Sequence, residues 1–406
     1  MNLGGPKKAE DVQGFLYNLF SDPGIIRLPS FLSFLQKPVA WLISTTRKGK
    51  ATAAYESIGG GSPILRYTTE QSALLESALL QRHGLNATTY IAMRYWHPFL
   101  SEALYKIYSD KIDTLVVLPL YPHFSVSTTG TSLIELASEI AAKPQLWGVS
   151  GGRGGQPSLL SSVPGSAVMP EAAPIRHTVI PSWHLRPGYI STLGRLVTKE
   201  LDALNPGLGG RKRHVLFTAH GVPKSYVSGG DVYQKHIVEC VDAVSKLLPL
   251  DAEVHLSYQS RVGPIEWLKP YTDDVIPALG KSGVKDLVVV PISFVSEHIE
   301  TLEEIDQEYK ELAHEHGIDN WKRCPALNGD KEWIDDLADA VVESLGKPII
   351  TAVEACRDNY CCIRAMPDDG AKEIGKQKCP ILRGEKVMEA PINPDIKNKF
   401  YRFGLL

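Results

Sequence analysis

Short apolar runs alternate with longer amphipathic stretches over most of the chain. The segments HVLFTAH, ending at His220, AEVHLSYQS, running through Tyr258, and LVVVPISF, starting at Leu287, are each typical of a buried strand. The stretches between them have the apolar spacing of helices. Strands that alternate with helices in this way predict an α/β fold built on parallel sheets.

Two earlier segments, TTYIAMRYWHP and DTLVVLPLYPHFSVSTTGTS, also predict strands that run into polar and aromatic residues. LVVLPLYPHF, from Leu115, resembles LVVVPISF, and MRYWHP, from Met93, resembles QSRVGP, from Gln259, in the same order. We interpret this as two similar α/β halves, residues 1–143 and 177–345, that face each other across a cleft. Because open α/β sheets bind ligands at the carboxyl ends of their strands, we expect the site there.

Two segments do not fit this pattern. Residues 144–176 are rich in Gly, Ser and Pro and have no periodicity, which is typical of a disordered insertion or linker. After a predicted helix at about Trp333 to Leu345, residues 346–406 are irregular, and we expect them to be poorly ordered. The cysteines of this tail have a spacing, C-x4-C-C-x16-C, that matches no standard metal site.

The run after Leu287 contains the strongest candidate chemistry. His298 precedes Glu300 by two residues, and Glu304 and Glu308 follow at intervals of four, so an α-helix would place the three carboxylates along one side. Such a row is either a solvated acidic face or a path for a metal ion or protons. His220 ends a neighbouring strand and, at the same sheet edge, is a candidate general base.

The apolar segment Phe31–Ile43 is interrupted by proline, which predicts a short helix or a pair of turns rather than one long helix. It is either ordinary core or an exposed lip that contacts a membrane or admits a flat apolar substrate. Arg47, Lys48 and Lys50 follow it and could meet the carboxylates of such a substrate or lipid phosphates.

Composition narrows the class of protein. The 406 residues are 43% hydrophobic and 22% charged, with a net charge of -3 and no long basic run, which gives no indication of a nucleic-acid partner. No apolar run has the length of a membrane-spanning helix, and the first residues show no signal or transit pattern, so Met1 could begin a mature or truncated form. Six sparse cysteines suggest a reducing compartment.

The motifs together resemble those of ferrochelatases, most closely the plastid enzymes of plants and algae. The matching stretches are, in order, NLGGP, YESIGGGSP, MRYWHP, LPLYPHFSVSTTG, FTAHGVP, YQSRVGPIEWLKP and VPISFVSEHIETLEEIDQEY. They cover nearly everything from Asn2 to about Leu345 except the insertion.

The resemblance implies the insertion of ferrous iron, as a substrate, into protoporphyrin IX to give protoheme, the last step of heme synthesis. It implies a chelatase fold of two Rossmann-like domains with the porphyrin cleft between them. His220 and Glu300 match the metal-site and catalytic pair of the family, and His298, Glu304 and Glu308 match the acidic path behind it. The positions that line the porphyrin cleft in the family fall here on Arg47, Tyr55, Arg94, Tyr95, Tyr121, Trp267 and Phe294.

The sequence also departs from some members. Animal-type enzymes hold a [2Fe-2S] cluster through a cysteine where this chain has Val126, so no such cluster is expected here. The chlorophyll-binding-like extension of plastid relatives is not recognisable. The resemblance implies a chloroplast location, with the mitochondrion as the alternative, and peripheral membrane contact through Phe31–Ile43. It leaves the oligomeric state open, a homodimer being one option.

Two other functions fit parts of the pattern. One is a sibling chelatase that uses a more polar tetrapyrrole, coproporphyrin or sirohydrochlorin, although the apolar segment favours a less carboxylated substrate. The other is a tetrapyrrole carrier without catalysis, against which the presence of both His220 and Glu300 argues.

Overall fold

The computed structural model describes residues 1–26, 28–143, 175–204 and 212–346. The predicted insertion, from 144 to 174, and the tail from 347 onward with its four cysteines lie outside the described residues, so the expectations about their order stay predictions. Arg176, which the sequence assigned to the insertion, begins a strand.

The described chain is an alternation of helices and parallel strands. The strands are β1 (Thr114–Val117), β2 (Arg176–Val179), β3 (Arg213–His220), β4 (Ala252–Gln259), β5 (Asp286–Pro291) and β6 (Asn320–Arg323). The α-helices before β3 are α1 (Val12–Ser21), α2 (Gln36–Ser57), α3 (Ile64–His83), α4 (Leu100–Ser109), α5 (Thr131–Ala142) and α6 (Pro187–Ala203). Those after β3 are α7 (Lys224–Ser228), α8 (Tyr233–Ser245), α9 (Thr272–Lys281), α10 (Lys310–Glu315) and α11 (Lys331–Leu345).

The carboxyl-terminal half contains a four-stranded parallel sheet in the order β4-β3-β5-β6. Its central strands are apolar on both faces because helices cover both sides, as parallel sheets require. Phe217, Val288 and Val290 pack with Trp333 on one face. On the other face, Leu216 and its neighbours pack under the segment from Glu300 to Tyr309. The predicted parallel α/β fold is therefore confirmed.

The amino-terminal half has less regular strand structure than its counterpart. β1 pairs in parallel with β2, whose residues from His177 onward the sequence placed in the carboxyl-terminal half. The segment TTYIAMRYWHP does not form the predicted strand; Met93 makes only isolated bridges, to Asn2 and Phe99. That prediction was wrong because alternating apolar residues also suit an extended connection. The backbone of such a connection can make isolated bridges without joining a sheet.

The apolar segment after Pro29 was also predicted wrongly. A 3-10 helix, Ser30–Leu35, leads directly into α2, which has 22 residues. Pro38 lies in the first turn of α2, where a backbone N–H has no partner within the helix, so its missing donor costs nothing. One long helix therefore begins inside the predicted lip.

The two halves share a core. Ala78 and Leu79 of α3 join the cluster that contains Trp333 of α11. At the rim, Arg82 donates to both carboxylate oxygens of Asp339 over 2.9 Å. This packing holds the halves in a fixed relation around the sheet edge where β3 ends.

Candidate metal and porphyrin site

His220 is the last residue of β3, and its backbone is held from both sides. Its amide donates to Ser293 Oγ over 3.0 Å, and its carbonyl accepts from the Tyr233 hydroxyl over 2.9 Å. Gly221 follows because a Cβ there would lie 2.7 Å from the Gln259 carbonyl. The imidazole is thus fixed at the carboxyl edge of the sheet.

Glu300 approaches this imidazole from the next element. It begins the segment Glu300–Tyr309, which is a π-helix and not the α-helix that the carboxylate spacing predicted. Its Oε2 lies 2.8 Å from Nδ1 of His220 and 3.3 Å from Nε2 of Gln259. π-Helical turns are frequently found at functional sites.

The His220–Glu300 pair is hydrogen-bonded in a partly closed environment. Burial disfavours the charged imidazole, but the charge of Glu300 and the hydrogen bond outweigh this effect and raise the pKa of His220. Burial also disfavours the carboxylate, yet the charge and hydrogen bond of His220 hold the pKa of Glu300 below its usual range. A raised pKa makes His220 a stronger proton acceptor than a free imidazole.

His298 lies on the other side of Glu300. Its Nε2 is 3.9 Å from Oε1 of Glu300, and its Nδ1 lies 3.2 Å from the Ser296 carbonyl. The bond to the carbonyl assigns the proton to Nδ1, so Nε2 presents its lone pair toward Glu300. Burial lowers the pKa of His298, which keeps this ring neutral and able to ligate a metal.

Glu304 is the next carboxylate along the path and differs in charge from Glu300. Ser260 Oγ donates to it over 2.7 Å and the Tyr309 hydroxyl over 2.8 Å, while Gln259 bridges it to Glu300. Burial and the nearby charge of Glu300 raise the pKa of Glu304 to about 7. This carboxyl group therefore exchanges its proton near neutral pH.

Glu308 ends the row at the protein surface. Its Oε1 lies 3.2 Å from Nζ of Lys50, and the two side chains are 47% and 84% exposed. The repulsion within the row is thus relieved in two ways: Lys50 neutralises the outer carboxylate, and a shifted pKa neutralises Glu304. The row runs from the buried pair to solvent.

Two predicted porphyrin contacts lie beside His220. The Phe294 ring centroid is 6.3 Å from that of His220 and 4.3 Å from that of His298. Trp267 is half-buried, packs over Gly221 and donates from Nε1 to the Val262 carbonyl over 2.9 Å. These aromatic rings form an apolar wall next to the metal pair.

The other predicted contacts belong to the amino-terminal half. Arg47 is exposed on α2, with its guanidinium 5.7 Å from the centre of the Phe20 ring. Tyr55 and Tyr121 are buried. All three come from the amino-terminal half, but Tyr55 lies near Glu300, since burial and then the charge of Glu300 raise its pKa, and Ile299 packs against its cluster. Contact of the three with porphyrin stays a prediction.

Arg94 and Tyr95 are tied to a buried carboxylate. Asp22 accepts from the Arg94 guanidinium over 2.6 Å and from the Tyr95 hydroxyl over 2.9 Å. Tyr95 is fully buried. In this arrangement both side chains brace the interior of the amino-terminal half, and their predicted contact with porphyrin is likewise untested.

Sequence reasoning did not assign several residues that shape the site. Gln259 and Ser260 stand in the YQSRVGP motif, where a polar pair at the end of β4 was the available signal. Tertiary packing alone brings three further residues to the site: Tyr309, Tyr233 and Ser293. No local pattern could have identified these three.

The fold and the site together define a metal-handling α/β enzyme of the chelatase type. The ferrochelatase family model matches residues 1–150 and 165–345. Ferrochelatases of Trichodesmium erythraeum and of a Synechocystis strain are 51% and 48% identical to the chain, each over 86% of it, and over 82% and 83% of their own lengths. A structure of SirB from Bacillus subtilis with Fe3+ aligns with a TM-score of 0.44 and 13% identity over 68% of this chain and 88% of SirB.

The chain belongs to the ferrochelatase family. It is a lyase that inserts ferrous iron into a porphyrin in heme synthesis.

Proposed function

We propose that the porphyrin is protoporphyrin IX and that His220 removes the pyrrole protons while Glu300 helps to receive the iron. The observation that carries this proposal is the 2.8 Å contact between the two side chains at the edge of the β3 sheet. It joins a proton acceptor to an oxygen ligand beside the apolar wall of Phe294 and Trp267.

The chemistry requires such a pair. A flat macrocycle offers its nitrogens poorly, because two of them carry hydrogens and all point into the ring plane. Apolar walls that grip and pucker the ring use binding energy to expose these nitrogens. His220 then takes a proton from one face, and its raised pKa favours the transfer.

The iron must also lose water before it reaches the ring. Carboxylate and imidazole ligands replace water in steps, and divalent iron accepts both ligand types. Glu300, with His298 on its other side, supplies such ligands. Since Glu304 has a pKa of about 7, we assign it the role of receiving the released proton and passing it toward Glu308 and solvent.

The apolar lip is proposed as a membrane contact through which a poorly soluble ring reaches the site. Phe31 and Phe34 are each 74% exposed, and Trp41 and Leu42 are 58% and 56% exposed. Exposed aromatic clusters of this kind mark membrane or ligand surfaces. In the described part of the chain no helix is both long and apolar enough to cross a bilayer.

Substrate choice is tested by comparing turnover of protoporphyrin and coproporphyrin by the full chain, followed by the loss of free-base fluorescence. We expect protoporphyrin to be preferred at least tenfold in kcat/KM, because two additional carboxylates would have to be desolvated against an apolar lip. A preference for coproporphyrin would contradict the assignment.

We further propose a plastid location and the absence of a resident [2Fe-2S] cluster. The high identity to cyanobacterial ferrochelatases supports the first. Val126 supports the second, since its buried side chain offers no thiolate where cluster-binding members have one. Immunodetection in purified plastids and mitochondria, and iron and sulfide analysis of anaerobically purified protein, test these two points.

A further inference from the structure

A second group of metal-binding side chains lies at the far end of the same sheet. His214, at the start of β3, is in register with Glu253 of β4, and His255 follows Glu253 by two residues. Paired residues and alternate residues of a parallel sheet share a face, so the three side chains emerge together. Six residues of strand, about 20 Å, separate His214 from His220.

The three side chains have the spacing of a ligand set. Nδ1 of His214 lies 3.0 Å from Nε2 of His255, and one ligand atom from each of the three residues falls within 4.8 Å of the others. A tetrahedral ion with ligands at about 2.0–2.1 Å holds neighbouring ligand atoms about 3.4 Å apart. The two nitrogens are close to this separation, and rotation of the Glu253 carboxylate would close the third side.

The charges around the group favour a cation. Nδ1 of His214 and Nε2 of His255 face each other beside the Glu253 carboxylate, the acidic member of the group. Asp286 of β5 adds a buried carboxyl group near His214. Lys212 lies 3.3 Å from Glu253, but its side chain is 71% exposed, so that ion pair is weak and easily displaced.

We propose that His214, Glu253 and His255 bind one divalent transition-metal ion of the Zn2+ type, with a water molecule as the fourth ligand. Two imidazoles and one carboxylate form a well-established donor set for such ions. The ion would clamp β3 to β4 at the amino ends of the strands. This site is distinct from the iron path and does not depend on the proposed mechanism.

The test is a Zn2+ titration of the full chain without porphyrin, by equilibrium dialysis. The His220–Glu300 pair and the cysteine thiols of the sequence are other potential Zn2+ ligands, so the measurement compares variants. His255→Asn and Glu253→Gln are each expected to bind one equivalent less than the unaltered chain. The matched control, His314→Asn, removes an exposed imidazole from α10 and should bind as much as the unaltered chain.

Thermal unfolding gives a second readout. Saturating Zn2+ should raise the unfolding midpoint of the His314→Asn control about 3 °C more than that of Glu253→Gln, because binding to the folded state alone stabilises it. Glu253 is half-exposed, so its variant folds even if His255→Asn does not. Equal Zn2+ stoichiometry in Glu253→Gln and the control would overturn the proposal. Iron insertion should be unchanged in Glu253→Gln, which separates this result from any failure of the proposed mechanism.

Discussion

Nδ1 of His220 lies 2.8 Å from Oε2 of Glu300, although the two residues are 80 positions apart in the chain. One ends a strand and the other begins a π-helix, so their contact depends on the packing of that helix against the sheet. The contact joins the proposed proton acceptor, His220, to the proposed iron ligand, Glu300. The carboxyl groups of Glu304 and Glu308 continue from there toward solvent.

The pKa of Glu304 predicts a pH-dependent effect of Glu304→Gln on stability. Between the ordinary value of 4.5 and the folded value of about 7, the folded state binds more protons than the unfolded state, so rising pH destabilises the protein through this group. Glutamine does not titrate. The variant should therefore gain roughly 3 kcal/mol relative to the unaltered chain as pH rises from about 4 to about 8, levelling off once the pH has passed through the folded pKa. Denaturant unfolding across this pH range measures the difference, and a difference that stays constant would contradict the raised pKa.

Gln259→Leu should change how turnover depends on pH. Gln259 donates to both Glu300 and Glu304, and losing a donor to a carboxylate raises its pKa. The acidic limb of the kcat profile should move up by about one pH unit, since Glu304 would then stay protonated at higher pH. The control is Gln81→Leu, an exposed amide on α3, whose profile should match that of the unaltered chain. Identical acidic limbs in the kcat profiles of Gln259→Leu and Gln81→Leu would contradict the assignment of proton transfer to Glu304.

Asp22→Ala should destabilise the amino-terminal half. The carboxylate is buried and accepts from Arg94 and Tyr95. Its loss leaves the buried guanidinium with Glu135 as its remaining ion-pair partner and the tyrosine hydroxyl with only a 3.4 Å contact to Thr131. Removing one partner of such a buried pair costs about 3 kcal/mol. The matched variant Glu135→Ala removes the more exposed partner of Arg94 and should cost less than about 1 kcal/mol. Denaturant unfolding measures the loss of stability in each variant. Equal losses in Asp22→Ala and Glu135→Ala would show that the buried position of Asp22 does not matter.

The exposed lip, Phe31–Ile43, is expected to bind lipid membranes. Phe34→Asp combined with Trp41→Asp should reduce binding to vesicles of neutral and anionic lipid at least tenfold, because each substitution replaces exposed apolar area with charge. Tyr105→Asp is the matched control, since Tyr105 is an aromatic residue of α4 that is 71% exposed. Vesicle co-sedimentation measures the effect. Retained binding by the double variant would exclude the lip as the contact.

The sequence was informative where burial imposes a pattern. Continuous apolar runs predicted β3 and β5 because parallel strands are covered on both faces, and the position of His220 after such a run predicted its place at the sheet edge. The alternation of strands and helices then predicted the fold class.

Other features could not be predicted from local pattern. Carboxylates at intervals of four suit an α-helix, yet the segment from Glu300 to Tyr309 is a π-helix. Proline predicted a break in α2, but Pro38 occupies its first turn. The donors that set the charge of Glu304 come from distant segments, Ser260 among them, and only tertiary structure brings them together.

In the proposed mechanism His220 is the base that takes the pyrrole protons, and Glu300 helps to receive the iron. The most direct measurement is metallation of protoporphyrin by His220→Ala alongside fluorescence titration of porphyrin binding, with His314→Ala as an exposed control. We expect a loss of turnover of at least about 100-fold, with porphyrin affinity changed less than about threefold, because a positioned base contributes to the chemical step and not to binding of the ring. Turnover by His220→Ala within a factor of a few of the control would contradict this mechanism.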